Sequence, residues 1–363
     1  MSHGISRQTE RTVGLDLGDK YSYLCVLDTE TGELVEEGRL RTIPDDLLCR
    51  FDSEQRMKVV IEVGTHSTWV SRLLTQCGHE VLIANPRKTR LIYGDKHKTD
   101  KLDAQKLARL ARVDPQILYP IEHRGEESQA HLALIHSRDI LVRSRTQLIN
   151  HVRGTVKSFG ARLPKCSAES FHKKVADALP PELVEALQGV VATIRSLTER
   201  IGDYERRIER VCEESFPQET GLLRQVPGVG TLTSLTFVLT LEDPHRFEQS
   251  RAVGAYLGLV PAQEHSGERD PQKPISKEGD EMLRRLLVSS AHYILGPFGP
   301  DSDLRRHGEK IASRGGKNPK KRAVVAVARK LSVLLHRLWV TGEAYEPLHN
   351  ARLTGTLGEE EVA

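Results

Sequence analysis

The sequence predicts an α/β domain at the N-terminus, a helical coiled-coil middle and a mainly α-helical C-terminal domain. Three observations carry this. Short β-branched runs alternate with turns and helical segments over the first third. A repeat of apolar residues at spacings of four and three fills the middle, and helical patterns dominate beyond residue 216. The expected boundaries are 10–125, 126–215 and 216–345, with a disordered tail over 346–363. A chain of 363 residues is long enough for two or three such cores.

Residues 12–17 and 21–27 read as two strands around the turn Gly18-Asp19-Lys20. A polar turn at 28–32 leads to a third strand over 34–40. The run MKVVIEV, residues 57–63, has the β-branched content of a central strand. A helix is expected over 66–76, stopped by Gly78, then a strand over 80–84 and a helix over 99–112. Three meandering strands followed by strand, helix, strand, helix is the order of an RNase-H-like domain.

In the middle, Leu183, Leu187, Val190, Ile194, Leu197, Ile201, Tyr204, Ile208 and Val211 form a heptad seam. Pro180 and Pro181 mark its start, and Pro217 lies just past its end. At ~1.5 Å per residue such a helix is roughly 40 Å long. A lone helix cannot bury that seam, so it packs on residues 129–159, on another subunit, or on both.

The composition is that of a soluble globular chain, with 38% hydrophobic and 28% charged residues. Aromatic content of 5% argues against base-stacking platforms. Net charge is only +3, but eleven Lys or Arg face one acid between 305 and 337, and nine face three between 87 and 112. Two concentrated basic segments, one wrapped around an acidic motif, suggest polyanion-binding faces. The five cysteines are scattered without metal-ligand spacing, which argues against a zinc or disulfide framework and favours reduced, mostly buried thiols. The first eleven residues contain no apolar signal core and no run is long enough to span a bilayer, so the expectation is a cytoplasmic protein.

An acid in the middle of an apolar strand needs a reason, and Asp16 is such an acid. Actin-like ATPases and RNase-H-like nucleases both open this way. Glu62 ends the strand MKVVIEV, and Asp100 and Asp103 share a helix face in HKTDKLDAQKLARL. In an RNase-H-like sheet these elements are neighbours, so the four acids converge. Such a cluster repels itself unless divalent cations are present, and Mg²⁺ prefers carboxylate oxygens. Two ions could then assist phosphoryl transfer. Taken singly, each acid has a bland alternative: a turn for Asp16, a helix cap for Glu62, the helix dipole for Asp100. Four coincidences at matching positions favour the metal site. Asp19 and Asp95 are the substitutes if the register differs.

The segments GLDLGDKYSYLCVLD, IEVGTHSTWVSRLL, HEVLIANP and KTDKLDAQKLARL resemble the signature segments of the DEDD insertion-sequence transposases. These are the RNA-guided recombinases that include the pilin-gene invertases. The resemblance extends over residues 12–348, through LLRQVPGVGTLTSLTFVLTLEDPHRF, VGAYLGLVPAQEHSGE, ISKEGDEMLRRLLVSSAH and KKRAVVAVARKL. It implies a RuvC-like N-terminal domain in which Asp16, Glu62, Asp100 and Asp103 bind Mg²⁺ as two ions, with Mn²⁺ as a substitute. It implies that Ser266, in EHSGE, is the serine that becomes covalently joined to DNA, with Ser276 as the fallback. Taken alone, a loop Ser-Gly is nearly always a turn. The implied partners are donor and target duplex DNA, a structured guide RNA and further copies of the chain in a homodimer or larger assembly, at the nucleoid and not at a membrane. One departure is Asp280, where the family often has Asn; residues 299–307 are irregular against it.

Nucleic-acid contacts are expected from Arg87, Lys88 and Lys98, and from Arg314, Lys317, Lys320, Lys321 and Arg322, which would position a duplex without reading its sequence. Pro227-Gly228-Val229-Gly230 resembles a helix-hairpin-helix turn whose Gly228 and Gly230 could admit a phosphate; an ordinary capping loop explains it equally well. An actin-like ATPase would need a second phosphate hairpin and an adenosine motif, and neither is evident. A Holliday-junction resolvase would use the four acids but leaves the coiled coil and Ser266 without purpose. A non-catalytic nucleic-acid binder would not need all four acids, and an invertase that reads DNA without a guide RNA shares every motif.

Overall fold

The computed structural model describes residues 10–52, 55–86, 99–262 and 273–350. The chain forms two compact units, Met1–Arg124 and Gly125–Ala363.

The first unit is built on five strands: β1 (Arg11–Asp16), β2 (Tyr21–Asp28), β3 (Leu34–Arg41), β4 (Lys58–Glu62) and β5 (Glu80–Ala84). Their order is β3-β2-β1-β4-β5. The first three pair antiparallel, and β1, β4 and β5 pair parallel. Alternation along the strands divides two apolar faces. Val13, Leu15, Val59 and Ile61 face α1 (Pro44–Phe51) and α2 (Ser67–Gln76), through Leu47, Phe51, Val70 and Leu74. On the other face Val60 and Ala84 meet Leu107 and Ala111 of α3 (Asp100–Val113), while Cys25 and Leu27 meet its Ala104 and Ala108. Cover on both faces explains why β4 is apolar throughout its middle. Helix α1 is absent from the expected element order, although Pro44 at its first turn followed by Asp45 and Asp46 is a start signal.

The second unit contains α4 (Glu126–Ser158), α5 (Phe171–Val175), α6 (Pro181–Glu214), α7 (Pro217–Leu223), α8 (Thr231–Leu241), α9 (Arg251–Tyr256), α10 (Glu281–Leu295), α11 (Asp303–Ser313) and α12 (Pro319–Thr341). The long helices α4 and α6 pack on each other within the chain, Ile149, Val152 and Val156 against Leu183, Leu187, Val191 and Ile194. Leu187, Ile194, Ile201 and Ile208, one row of the expected seam, are buried, whereas Val190, Leu197, Tyr204 and Val211 are half-buried. A straight helix drifts by about 20° per heptad, and burial passes instead to Val191 and Cys212. Buried Arg145 crosses this pair to Thr198 and Glu169, at 3.4 and 3.0 Å.

The middle region and the C-terminal domain, expected as separate pieces, share a core. Leu132 and Ile135 of α4 and Ile208 and Cys212 of α6 pack with Leu235 and Leu239 of α8 and Met282 of α10. Helix α8 is buried along almost its whole length, with Phe237 and Val238 in a second cluster with α10 and α12. The tail expected to be disordered from 346 is held at its start: the Asp303 amide donates to Pro347 O and the Asn350 amide to Asp303 Oδ2, both at 2.7 Å. Residues 351–363 lie outside the described residues. All five cysteines are unpaired; Cys25 and Cys212 are buried and Cys49 is exposed. Among the described residues no helix is long and apolar enough to cross a membrane.

Candidate functional site

The candidate site begins where two parallel strands end. Strands β1 and β4 pair in register to Leu15 and Ile61, so the next rung carries Asp16 and Glu62 side by side. Gly14 and Val60, two residues earlier, face α3, so Asp16 and Glu62 point to that same face. Both acids are half-buried.

Helix α3 brings the other two. Thr99 caps it, its Oγ1 accepting from the Leu102 amide at 3.3 Å, and Asp100 and Asp103 lie in the first turn. At the far end Arg112 donates to Thr29 O and Glu30 O, at 3.0 and 2.8 Å, in the turn beside the start of β1. The helix therefore runs antiparallel to β1, and its first turn lies over the end that carries Asp16. Gly14 allows the close approach: a Cβ there would lie 2.0 Å from Ala104 O and 2.6 Å from Ala108 N. Glu37, on β3, fastens the same turn by accepting from Lys101 Nζ at 2.7 Å and from Gln105. The Lys101 and Gln105 hydrogen bonds hold its carboxyl below the usual range. Neither Gly14 nor Glu37 stands out in the sequence; the only signal for the first is that a glycine precedes the strand acid by two.

Asp16, Glu62, Asp100 and Asp103 thus occupy one edge of one sheet face. They supply only hard oxygen donors, which suits a divalent cation of the Mg²⁺ class. Yet among the described residues no three His, Cys, Asp or Glu side chains already form a metal-holding group. Asp16, Glu62 and Asp103 each have another interaction partner. The donors fit by type and position, and their side chains would have to turn inward together. Asp19 is exposed in the β1–β2 turn, 3.6 Å from His66 Nε2, and Asp95 lies outside the described residues.

In the second unit Pro227-Gly228-Val229-Gly230 is a tight turn. Gly228 has φ +88°, and a Cβ on it would stand 2.9 Å from the Tyr293 ring. The Thr231 hydroxyl at the start of α8 bonds Glu209, which holds that carboxyl below its usual range. A carboxylate beside this helix start counts against a phosphate there, while the positive φ of Gly228 is what the turn itself requires.

Ser266, Arg87, Lys88 and Lys98 lie outside the described residues. The flanks of the Ser266 segment meet, Ala262 N donating to Pro274 O at 2.9 Å. Ser276 is engaged in a turn: its amide donates to Val260 O at 2.8 Å and its Oγ accepts from the Glu278 amide at 3.4 Å. Asp280 is the N-cap of α10, accepting from the Leu283 amide at 2.8 Å. Arg314, Lys317, Lys320, Lys321 and Arg322 are all exposed around the α11–α12 turn, and Arg322 donates to Gly315 O at 2.6 Å. Three consecutive cations in the first turn of α12 oppose its dipole, a cost of about 0.3–1 kcal/mol each that folding alone does not require.

A family model described as Transposase, of the DEDD type of IS110, matches residues 13–160, and one described as Transposase IS116/IS110/IS902 family matches residues 220–303. Over 345 residues the chain is 29% identical to the transposase for insertion sequence element IS1111A of Coxiella burnetii, covering 92% of this chain and 91% of that protein. It is 32% identical over 243 residues to the transposase for insertion sequence element IS1328 of Yersinia enterocolitica, covering 65% and 70%. It is 23% identical over 283 residues to the pilin gene-inverting protein of Moraxella bovis, covering 76% and 77%. The mixed sheet with acids along one edge and the helical unit that follows it thus fall in the class of transposases. The chain belongs to the IS116/IS110/IS902 family of insertion-sequence transposases.

Proposed function

We propose that this chain cuts and rejoins DNA strands of an insertion sequence through an RNase-H-like, RuvC-like N-terminal domain and a serine nucleophile. The observation that carries the proposal is the rung of Asp16 and Glu62, faced by the first turn of α3 with Asp100 and Asp103. These four carboxylates would hold Mg²⁺, as two ions, with Mn²⁺ able to replace it. When bound, such ions supply Lewis-acid stabilisation of the oxygens that gain charge in phosphoryl transfer.

The chain's own residues do the rest. Ser266 Oγ forms a bond to a DNA phosphorus and gives up its proton; one phosphorus–oxygen bond to the neighbouring sugar breaks, and the freed oxygen takes a proton. Because an ester replaces an ester, the reverse attack by a second DNA end rejoins strands without ATP. Arg314, Lys317, Lys320, Lys321 and Arg322, with Arg87, Lys88 and Lys98, hold the phosphate backbone of donor and target. A structured RNA selects the target, and the protein works in the cytoplasm, at the nucleoid, as a homodimer or larger assembly.

The test is cleavage of a supercoiled plasmid carrying the element's ends, with its RNA supplied. Asp16→Asn and Asp103→Asn are each expected to abolish nicking while the melting temperature stays within a few degrees. Normal nicking by either variant sinks the proposal. Sequencing the RNA that copurifies from the native host tests the guide: one dominant structured species supports it, and random cellular RNA points to an enzyme that reads DNA itself.

A further inference from the structure

Helices α11 and α12 and residues 343–350 line a groove of about 1540 Å³. Its floor is aliphatic, formed by Ile311, Val325, Val333 and Leu334. Cations stand along it, at Arg314, Lys317, Lys321, Arg329 and Lys330.

The charge in this lining is unbalanced, because its acids are already engaged. Arg337 Nη2 donates to Glu343 Oε2 at 3.1 Å, and His349 Nδ1 lies 3.2 Å from Glu346 Oε2. The Asn350 amide donates to Asp303 Oδ2 at 2.7 Å. Among the described residues, none of the five cations has an acidic partner. Their field reaches inward: burial first, then Lys330, Arg314 and Lys310, hold the His307 imidazole below its ordinary pKa. A lining of this kind suits a ligand with negative charges spaced along its length and apolar surface turned to the floor.

A DNA duplex meets only half of that description, since it turns its phosphates outward and keeps its base faces stacked inside. An unpaired strand meets both halves, with phosphates on the cations and base faces on the floor. From Lys321 to Lys330 helix α12 advances about 14 Å at ~1.5 Å per residue. The aliphatic floor offers no polar partner to a ribose 2′-hydroxyl, whereas the thymine methyl group gains from apolar contact.

We propose that this groove holds an unpaired DNA strand, about four nucleotides at the ~3.4 Å spacing of a stacked strand. Resting on the proposed cutting and rejoining of DNA, this assigns the groove to strands separated for exchange.

The test uses the full chain and the fluorescence anisotropy of a labelled oligothymidine of about ten nucleotides, with a duplex hairpin for comparison. Val325→Gln changes no charge, and it is expected to weaken oligothymidine binding about tenfold by making the floor polar. The same variant should alter duplex binding by less than about twofold, because phosphate contacts remain. Lys317→Gln with Lys321→Gln should weaken both ligands and reduce the salt dependence of each. Val325→Thr with Val333→Thr keeps the side-chain shapes, so a selective loss on oligothymidine is expected even if Val325→Gln disturbs the fold; circular dichroism checks each variant. Equal loss on strand and duplex, or no loss on the strand in either floor variant, overturns the proposal. So does an oligouridine of the same length that binds as tightly as oligothymidine. No readout depends on cleavage: a chain that nicks DNA yet shows none of this selectivity overturns the groove assignment and leaves the recombinase mechanism standing.

Discussion

Gly14 and Ala104 touch backbone to backbone: the space a Cβ would need on strand β1 is filled by the carbonyl of helix α3, 2.0 Å away. Through that contact the strand bearing Asp16 and the helix bearing Asp100 and Asp103 form one rigid pair.

Gly14→Ala should therefore damage fold and site together. Overpacking against backbone that cannot yield is expected to cost about 3 kcal/mol, read from the urea midpoint, and to abolish cleavage. Gly64→Ala is the control, because a Cβ there meets nothing within 4 Å. Equal stability of the two variants would show that α3 is free to move off the sheet.

Ser266 and Ser276 make opposite predictions. Ser266→Ala should eliminate the covalent protein–DNA adduct on denaturing gels while DNA binding persists. Ser276→Ala should keep the adduct, because the Ser276 hydroxyl is engaged by the Glu278 amide. An adduct that vanishes only with Ser276→Ala reverses the assignment.

His123 gives the first unit a dependence on pH. Its Nε2 is 2.8 Å from Ser67 Oγ, and that hydroxyl donates to Gly64 O, so the ring nitrogen is the donor to serine. Burial first, then the charges of Arg72 and Arg124, lower its pKa below the ordinary 6.5. The folded state thus favours the neutral ring. Its stabilising effect is complete above the unfolded pKa and is lost as pH falls from about 6.5 through the lowered value. Urea midpoints measured from pH 7.5 down to 5 should decline, and His123→Gln should flatten that decline.

Asp280 tests the departure from the family pattern. Asp280→Ala should cost about 1 kcal/mol, and Asp280→Asn only a few tenths, since either Asp or Asn can cap α10. Chemical unfolding separates the two, and equal losses would exclude the cap as the residue's role.

Much of the first unit was legible because β1, β2, β4 and β5 are apolar runs with β-branched residues, closed by Gly, Asp or Pro. The strand expected over 80–84 is the strand observed, and the helix expected over 99–112 differs by one residue at either end. Helix α1 carries its start signal in Pro44, Asp45 and Asp46, but eight residues that bury only Leu47 and Phe51 are too few to repeat a helical period. The positions of Asp16, Glu62, Asp100 and Asp103 could be read from sequence since strand ends and helix starts locate side chains. The directions in which those side chains turn could not, because they depend on neighbours such as Glu37 and Lys101 that pair across distant elements. The heptad seam of α6 predicted a partner, yet only tertiary packing decided that α4 supplies one and that Val191 replaces Val190 in it.

The hydrogen bond from Ala262 to Pro274 has a consequence for how such enzymes can be altered. It closes the base of the stretch containing Ser266, so α9 and α10 are positioned whatever lies between. Closure entropy grows slowly, by about 0.6 kcal/mol for each doubling of length. The stretch containing Ser266 can therefore be lengthened, shortened or exchanged as a cassette while the helices on either side hold their places.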